Sequence, residues 1–302
     1  MADKIPLKSE GEQLEAFLDE LQKEQTIRAI AGWQTGFPNL SSTLDGIRTG
    51  LYLLIGPPAC GKTSFAKQLL DQIVKENAVP GVFFSFAESD RELRIRTLAR
   101  LSGLENREIR RGSAYLLHWY GVPKAQHTGS ERLPPSWERL KKSAEEAKGW
   151  LDSIYLIECG QDTDLGRIED RIREVERIKG SDRIMVIVDD CQRLGRSEQR
   201  LTDRIQTIAE ELQTTAVNFR LPILAICPDL REDRGLPQTW SERAPSADVI
   251  LVMEGDLERT KKLTEPNQAL TLHIVKNRGG ERGRLGFEFY PAFSRFVEFA
   301  PS

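Results

Sequence analysis

The stretch LYLLIGPPACGKTSFA, residues 51–66, decides the fold class of this chain. Its first part, LYLLIG, is a continuous apolar run, which is typical of a strand buried on both faces of a parallel sheet. A glycine-rich loop follows, and a segment of helical character extends from Gly61 to about Val74. A buried strand, a glycine-rich loop and a helix in this order predict an α/β domain that binds phosphate groups.

The rest of the chain repeats the alternation of strand and helix. Further buried strands are predicted at residues 81–86, 154–159, 183–190, 221–227 and 247–254. Helical patterns follow the second strand as far as Leu101 and cover residues 165–178 and 201–219. Three more strand patterns, at 271–277, 286–290 and 294–299, have no helices between them. We therefore predict an α/β fold with a mostly parallel sheet flanked by helices and antiparallel C-terminal edge strands.

Two segments lie outside this alternation. In residues 12–22, EQLEAFLDELQ, four apolar side chains (Leu14, Phe17, Leu18 and Leu21) share one helical face. This helix is either an arm that docks on a neighbouring molecule or a capping helix. The domain prediction is an N-terminal arm over residues 1–32 and one phosphate-binding domain over 33–302, in which the polar segment 121–136 is an inserted surface loop.

Composition excludes several classes of protein. Hydrophobic residues make up 39% of the 302 residues and charged residues 29%, which is typical of a globular protein. No stretch is apolar for the length of a membrane span and no signal peptide is evident, so a cytoplasmic protein without a membrane partner is expected. The four cysteines form no CxxC pair, which argues against a zinc site and a disulfide framework. The net charge of −3 means that any contact with nucleic acid must come from local basic patches.

The loop itself matches the phosphate-binding pattern G-x-x-x-x-G-K-[ST]. Backbone N–H groups and the positive end of the helix dipole would cradle the phosphates of ATP. Lys62 would supply a point charge to the β- and γ-phosphate oxygens, and the Thr63 hydroxyl would ligate Mg²⁺. The predicted cofactors are therefore ATP and Mg²⁺, and the predicted cofactor-binding residues are Gly56, Pro57, Pro58, Ala59, Cys60, Gly61, Lys62, Thr63 and Ser64. Cys60 is interpreted as a small loop residue, not a nucleophile.

Acidic residues end two of the predicted strands, at the edge where open α/β sheets bind their ligands. The run RIMVIVDD ends in Asp189 and Asp190, which is the Walker B pattern. Asp189 would hold the Mg²⁺ shell opposite Thr63, whereas Asp190 either assists the attacking water or caps the following turn. The second strand is followed by Glu88, which is either the catalytic base or a glutamate in the first turn of a helix.

The ordered set of motifs resembles a known family. Residues 35–66, TGFPNLSSTLDGIRTGLYLLIGPPACGKTSFA, resemble the start of the ATPase domain of DnaB-type replicative helicases, which belongs to the RecA-like group. Residues 83–103 are similar to that family's second strand and helix, and VIVDDCQRL, 186–194, to its Walker B segment with Gln192 at the family's glutamine. Residues 246–256 and 273–283 match the late strand and the basic hairpin. The resemblance runs from about residue 33 to the C-terminus.

This resemblance implies a homo-oligomeric ring, with a hexamer as one candidate size and each ATP site at a subunit interface. Lys276 and Arg278 match the family's K-x-R, which reaches the γ-phosphate of the next subunit as an arginine finger. The alternative is that both are edge-strand charges that prevent aggregation. Pore loops would place further arginines on single-stranded DNA; the candidates are Arg193, Arg196, Arg231 and Arg234. Interspersed acidic residues also fit a solvated, mixed-charge surface.

The chain departs from the family pattern at three points. The family's catalytic glutamate aligns with Ala87, although the related KaiC ATPases carry two adjacent glutamates there, so that Glu88 could take the role. Pro228 replaces a glutamine that senses the γ-phosphate, and proline cannot donate a hydrogen bond. The family's N-terminal primase-interacting domain is expected to be absent.

Three functions stay open at this stage. The first is an ATP-hydrolysing helicase or translocase on single-stranded DNA, in replication or mobile-element biology. The second is a KaiC-like regulatory or partner-loading ATPase that acts on a protein partner. The third is a nucleotide-binding structural protein with little hydrolysis, which requires that Glu88 and Asp190 are both idle.

Overall fold

A nine-stranded sheet runs through the part of the chain that the computed structural model describes, which is residues 32–111, 135–194, 201–229 and 239–299 with residues 9, 14, 18 and 19. The strands are β1 (Gly50–Gly56), β2 (Gly81–Ser85), β3 (Ile154–Glu158), β4 (Met185–Asp189), β5 (Pro222–Pro228), β6 (Val249–Gly255), β7 (Gln268–Asn277), β8 (Gly283–Tyr290) and β9 (Arg295–Phe299). Each predicted strand is present, with ends that differ by at most a few residues.

The spatial order of the strands is β3-β2-β4-β5-β1-β6-β7-β8-β9. The first six of these are mutually parallel, and β1 lies between β5 and β6. The last three continue the sheet through antiparallel pairs, β7 with β6, β8 with β7 and β9 with β8. Parallel strands need crossover connections, whereas antiparallel strands can follow one another through short turns, so the change of pattern follows the loss of intervening helices. The predicted α/β fold class is confirmed.

Helices cover both faces of the sheet. They are α1 (Pro38–Leu44), α2 (Lys62–Asn77), α3 (Asp90–Ser102), α4 (Asn106–Arg111), α5 (Pro135–Leu151), α6 (Leu165–Lys179), α7 (Leu201–Phe219), α8 (Trp240–Arg243) and α9 (Leu257–Thr260), with short 3₁₀ turns at Cys191–Arg193 and Pro291–Phe293. Alternate side chains of β1 enter two separate cores. Tyr52 and Leu54 pack with α2, and Leu53 and Ile55 pack with α6 and α7.

The antiparallel strands fix the position of α2, the helix that follows the glycine-rich loop. Phe296 of β9 meets Phe65 of α2 edge to face, with ring centroids 5.2 Å apart. The Gln68 side chain donates to the Phe296 carbonyl at 2.9 Å and accepts from the Phe296 N–H at 2.7 Å. Because both groups of the amide are engaged, α2 is joined to the far edge of the sheet.

The structure differs from the sequence prediction at strand β3. Its apolar run predicts a strand covered on both faces, but Ile154–Glu158 are half-buried to exposed. The reason is position, because β3 is the last strand of the sheet in the described part of the chain and there pairs with β2 alone. The periodicity of an apolar run does not reveal whether the strand is central or at an edge.

Several elements were not predicted. α1 begins with a proline at its first turn, a position that tolerates proline because its N–H would have no helical partner. α5 is a long helix that starts at residue 135, so the last two residues of the predicted 121–136 loop are helical and 121–134 lie outside the described residues. Of the predicted helix at 12–22, residues 14, 18 and 19 are described; they are helical, and Leu14 and Leu18 are exposed. No helix among the described residues has the length and apolarity needed to cross a bilayer.

Candidate nucleotide-binding site

The glycine-rich loop joins the carboxyl end of β1 to the first turn of α2. Gly56 ends β1 beside Pro228 of β5, and α2 begins at Lys62. Ala59 and Gly61 both have left-handed backbone conformations, with φ of 62° and 88°. A Cβ at Gly61 would lie 2.8 Å from the Phe289 ring, so glycine is required there by both conformation and space. The loop is therefore shaped by the aromatic side chains of the antiparallel strands beneath it.

Lys62 lies folded over this loop. Its ammonium donates to the Gly56 carbonyl at 2.7 Å and to the Pro57 carbonyl at 2.8 Å. An ammonium has three N–H donors, so these two bonds leave one for an anion held above the loop. Pro57, Pro58 and Ala59 are exposed, so the loop is open to a ligand.

Cys60 points away from this opening. Its side chain is buried, and burial raises the pKa of the thiol. A protonated, buried thiol is a poor nucleophile, which agrees with its interpretation as a small loop residue. All four cysteines of the chain are free thiols.

A hydroxyl and a carboxylate meet at the edge of the sheet below the loop. Thr63 donates through Oγ1 to Oδ2 of Asp189 at 2.7 Å, although the two residues are 126 positions apart. Asp189 is 3% exposed, and desolvation raises its pKa to about 6, with Asp190 and Glu88 adding repulsion. Two hard oxygen ligands in contact fit Mg²⁺, which proteins hold by one or two side chains together with substrate phosphates.

Asp190 differs from its neighbour in its contacts. The Gln192 amide donates to Asp190 Oδ2 at 2.6 Å, and burial raises the pKa of Asp190. The Asp190 carboxylate accepts no capping hydrogen bond from the backbone of the following 3₁₀ turn, whereas the Asp190 backbone carbonyl accepts from the Arg193 N–H at 3.0 Å. Because Gln192 belongs to that turn, both roles given to Asp190, assisting the water and capping the turn, stay predictions.

Glu88 lies just before helix α3. The side chain that caps α3 belongs to Ser89, and the acidic residues of its first turn are Asp90 and Glu92. Glu88 is therefore outside the first turn, and the helix-dipole alternative for it is wrong. Its backbone is fixed by Ser85, whose Oγ donates to the Glu88 carbonyl at 2.6 Å and accepts from the Glu88 N–H at 3.1 Å.

Arg96 is a site residue that sequence reasoning missed. From α3 its guanidinium forms an ion pair with both carboxylate oxygens of Glu88 and donates to Ser64 Oγ at 2.7 Å. It is one of four arginines on this helix, and nothing in the sequence separates it from Arg91, Arg94 or Arg100. Only the packing of α3 against the start of α2 selects it.

Lys276 and Arg278 lie away from this loop. Arg278 donates through its backbone N–H to the Asp248 carbonyl at 3.0 Å, and its side chain pairs with the Asp248 carboxylate at 2.9 Å. The Asp248 carboxylate accepts a hydrogen bond from the Leu51 N–H, and the Asp248 N–H donates to the Leu51 carbonyl. Leu51 lies at the beginning of β1, five residues before the loop starts at Gly56. At about 3.3 Å per residue, this separation is roughly 16 Å along the strand. The Lys276 ammonium donates to the Pro245 carbonyl at 2.7 Å.

The structure describes one of the four candidate DNA contacts. The exposed Arg193 donates to the Phe86 carbonyl at 3.0 Å, which places it at the same edge of the sheet as the loop. Arg196, Arg231 and Arg234 lie outside the described residues.

Solved structures share this fold. One of them, an ATPase domain, aligns with a TM-score of 0.75 over 97% of this chain and 100% of that one, at 19% identity. A DnaB-like replicative helicase, solved in a study of its interactions with primase, aligns with a TM-score of 0.72 over 94% of this chain and 67% of that one, also at 19% identity.

Sequence relatives agree with the structural neighbours. The chain is 22% identical over 291 residues to the replicative DNA helicase DnaB of Geobacillus stearothermophilus, covering 89% of this chain and 57% of the relative. It is 24% identical over 327 residues to the DnaB of Haemophilus influenzae, covering 99% of this chain and 64% of the relative. The chain thus spans about three fifths of the length of these relatives. Residues 32–298 match the model of the DnaB-like helicase C-terminal domain, and the chain belongs to that family.

Proposed function

We propose that this chain is the ATP-hydrolysing subunit of a ring-shaped, DnaB-like DNA helicase or translocase that acts on single-stranded DNA. The observation that carries the proposal is the contact between Thr63 and Asp189 beneath an open phosphate-binding loop, in a chain of this family. This contact joins the two Mg²⁺-side oxygens of a P-loop ATPase from distant parts of the sequence.

Four groups would bind and orient ATP. The N–H groups at the start of α2 face the phosphates, and Lys62 exchanges its bonds to the loop carbonyls for phosphate oxygens. Thr63 and Asp189 would hold Mg²⁺, which neutralises charge on the β- and γ-phosphates when bound. Because the pKa of Asp189 is about 6, its carboxylate is mostly ionised at neutral pH and available as a ligand.

Glu88 would accept the proton of the attacking water. It follows the end of β2, close enough to Asp189 for their charges to interact. Its carboxylate has about four lone-pair positions, and Arg96 occupies two of them. Two positions therefore remain for a water molecule near the phosphates.

The ring follows from the position of Arg278. Its guanidinium lies roughly 16 Å below its own loop and is 61% exposed, so it is too far to reach a nucleotide bound to the same chain. An exposed arginine beside its own Asp248 can instead enter the ATP site of a neighbour, as Lys276 can. Such a finger stabilises charge on the transferred phosphoryl group. Because the finger comes from a neighbouring chain, ATP turnover would depend on assembly of the ring. A hexamer is the ring size we expect.

DNA would bind near the loop edge of the sheet. Arg193 reaches this edge, and Arg196, Arg231 and Arg234 are the further arginines proposed for phosphate contacts. Replication or mobile-element DNA metabolism is the setting that the family suggests.

A KaiC-like regulatory ATPase is the second candidate, and Pro228 favours it. Pro228 pairs with Gly56 at the start of the loop and brings no polar side chain to a position next to the phosphates. Gln192, bonded to Asp190, keeps an amide at the Walker B end and could still couple the site to DNA.

ATP turnover with and without single-stranded DNA distinguishes the two candidates. The helicase proposal predicts modest stimulation by DNA, and binding that weakens steeply with salt and less steeply after Arg193→Gln. Lys62→Ala, which removes the loop cation, is the control that exposes contaminating ATPases. Hydrolysis that ignores DNA at low salt, with no measurable DNA binding, would instead support the regulatory ATPase.

A further inference from the structure

Arg96 connects three parts of the site that are distant in sequence. Its Nε donates to Glu88 Oε2 at 2.8 Å, and its second terminal nitrogen pairs with Oε1 of the same carboxylate. The first terminal nitrogen donates to Ser64 Oγ at 2.7 Å and to Ser294 Oγ at 3.2 Å. Four of the five N–H donors of a guanidinium are thereby engaged.

This geometry differs from that of an ordinary surface ion pair. Exposed pairs contribute little because both side chains are mobile and solvated. Here the pairing is a two-point fork, which fixes direction as well as distance, and both side chains are about three-quarters buried. The fourth bond, to Ser294, holds the arginine against the turn before β9. Arg96 is therefore fixed from several sides and can impose an orientation on Glu88.

Ser64 is the contact that relates this fork to nucleotide binding. It directly follows Thr63 in the first turn of α2, the turn that also carries Lys62. A displacement of that turn when phosphates bind would move Ser64, and through Arg96 it would move the Glu88 carboxylate. The orientation of Glu88 is then coupled to occupancy of the loop.

We propose that Arg96 is the positioning residue for Glu88, holding its carboxylate aimed at the attacking water while sensing the loop through Ser64. The inference rests on the proposed role of Glu88 as the base. The other charged groups that interact with Glu88 are Asp189 on β4 and Arg110 on α4.

The test is the comparison of kcat and KM for ATP in Arg96→Gln and Arg96→Lys. Without the guanidinium, the Glu88 carboxylate loses the two-point contact that fixes its direction, so the chemical step should slow in Arg96→Gln while ATP binding is kept. We expect kcat to fall about ten- to hundredfold, part of what a general base contributes, with KM for ATP little changed. Arg96→Lys keeps the charge without the fork and should lie between wild type and Arg96→Gln.

Arg94→Gln is the matched control, because Arg94 lies on the same helix but pairs with Asp90 at the surface. It should leave both kcat and KM for ATP unchanged. If Arg96→Gln does not fold, the smaller fall of kcat in Arg96→Lys, with KM little changed, decides the question.

Two failures are distinguishable. A kcat that stays at its wild-type value in both Arg96 variants, while Glu88→Gln abolishes turnover, would overturn the positioning role alone. Wild-type turnover in Glu88→Gln would overturn the role of Glu88 as base and the inference with it.

Discussion

At the residue scale, burial prepares Asp189 for the role proposed for it, that of a Mg²⁺ ligand. Three observations describe it: the carboxylate is 3% exposed, accepts a hydrogen bond from Thr63, and has a pKa raised to about 6 by desolvation. A carboxylate kept out of water loses little further hydration when a cation binds, so part of the desolvation cost is already met by folding. The ligand-free protein carries that cost as reduced stability at neutral pH.

This cost leads to a prediction for Asp189→Asn. The folded-state pKa is above the unfolded value, so the folded protein binds more protons between pH about 4 and about 6, and the free energy of unfolding falls as pH rises through that window. The loss assigned to Asp189 is about 3 kcal/mol, from about two pKa units at 1.36 kcal/mol each. Asp189→Asn keeps an acceptor for the Thr63 hydroxyl but has no carboxyl group to ionise. The free energy of unfolding of this variant should therefore lack the fall assigned to Asp189.

Urea unfolding without nucleotide, at pH values across the window, measures the difference. Asp170→Asn is the control, because Asp170 is an aspartate with a 77% exposed side chain on α6. Equal pH dependence in wild type and Asp189→Asn would contradict the explanation.

A local sequence pattern can point to a candidate site residue, whereas packing between distant segments cannot be read from the sequence. The loop motif and the aspartate that ends β4 are local, so the sequence alone indicated Lys62, Thr63 and Asp189. Arg96 is defined by contacts with Ser64 and Glu88, 32 and 8 positions away, and helical arginines without such contacts look the same in sequence. The first-turn alternative for Glu88, which the structure removes, likewise depended on where a helix begins.

At the element scale, the antiparallel strands β8 and β9 support the phosphate-binding helix. Phe296 is buried, stacks on Phe289 with centroids 4.3 Å apart, and contacts Phe65 of α2. The same two strand phenylalanines lie against the position of a Cβ on Gly61. Strands β8 and β9 therefore support the phosphate-binding loop in addition to forming the edge of the sheet.

We predict that Phe296→Ala costs about 3–5 kcal/mol in the free energy of unfolding, the range for deleting a buried phenylalanine. Nucleotide affinity should fall as well, because the support of the loop at Gly61 is lost. Val297→Ala, at the next position of β9 and 40% exposed, should change stability by no more than about 0.5 kcal/mol. Denaturant unfolding and nucleotide titration of both variants check the prediction; similar losses in the two would refute the role given to Phe296.

Elements with long apolar runs were predictable, and their environment was not. Strands β1, β4 and β5 are recognised from composition because both faces are buried, whereas β3 has the same kind of apolar run and lies exposed at the sheet edge. α1 and α5 were missed because proline and charged residues weaken their helical patterns.

At the scale of the whole molecule, strand order separates the predicted catalytic residues into two places. β7 runs antiparallel to β6, so Arg278 lies near the beginning of β1 while the loop lies at its end. The sequence alone cannot give this separation, since it depends on which strands are neighbours. One chain therefore presents a nucleotide site at one edge of its sheet and a candidate finger at the other, as a ring of shared sites requires.

The central claim is that each ATP site is completed by a neighbouring chain, and mixing two inactive variants tests it most directly. Lys62→Ala lacks a working loop but keeps its finger, and Arg278→Ala binds nucleotide but lacks the finger, so each alone should turn over ATP orders of magnitude more slowly than wild type. In mixed rings some interfaces pair an intact Lys62 with an intact Arg278, and ATP turnover should rise well above the sum of the two separate preparations. Turnover that never exceeds that sum, or wild-type turnover by a strictly monomeric preparation, would contradict the account.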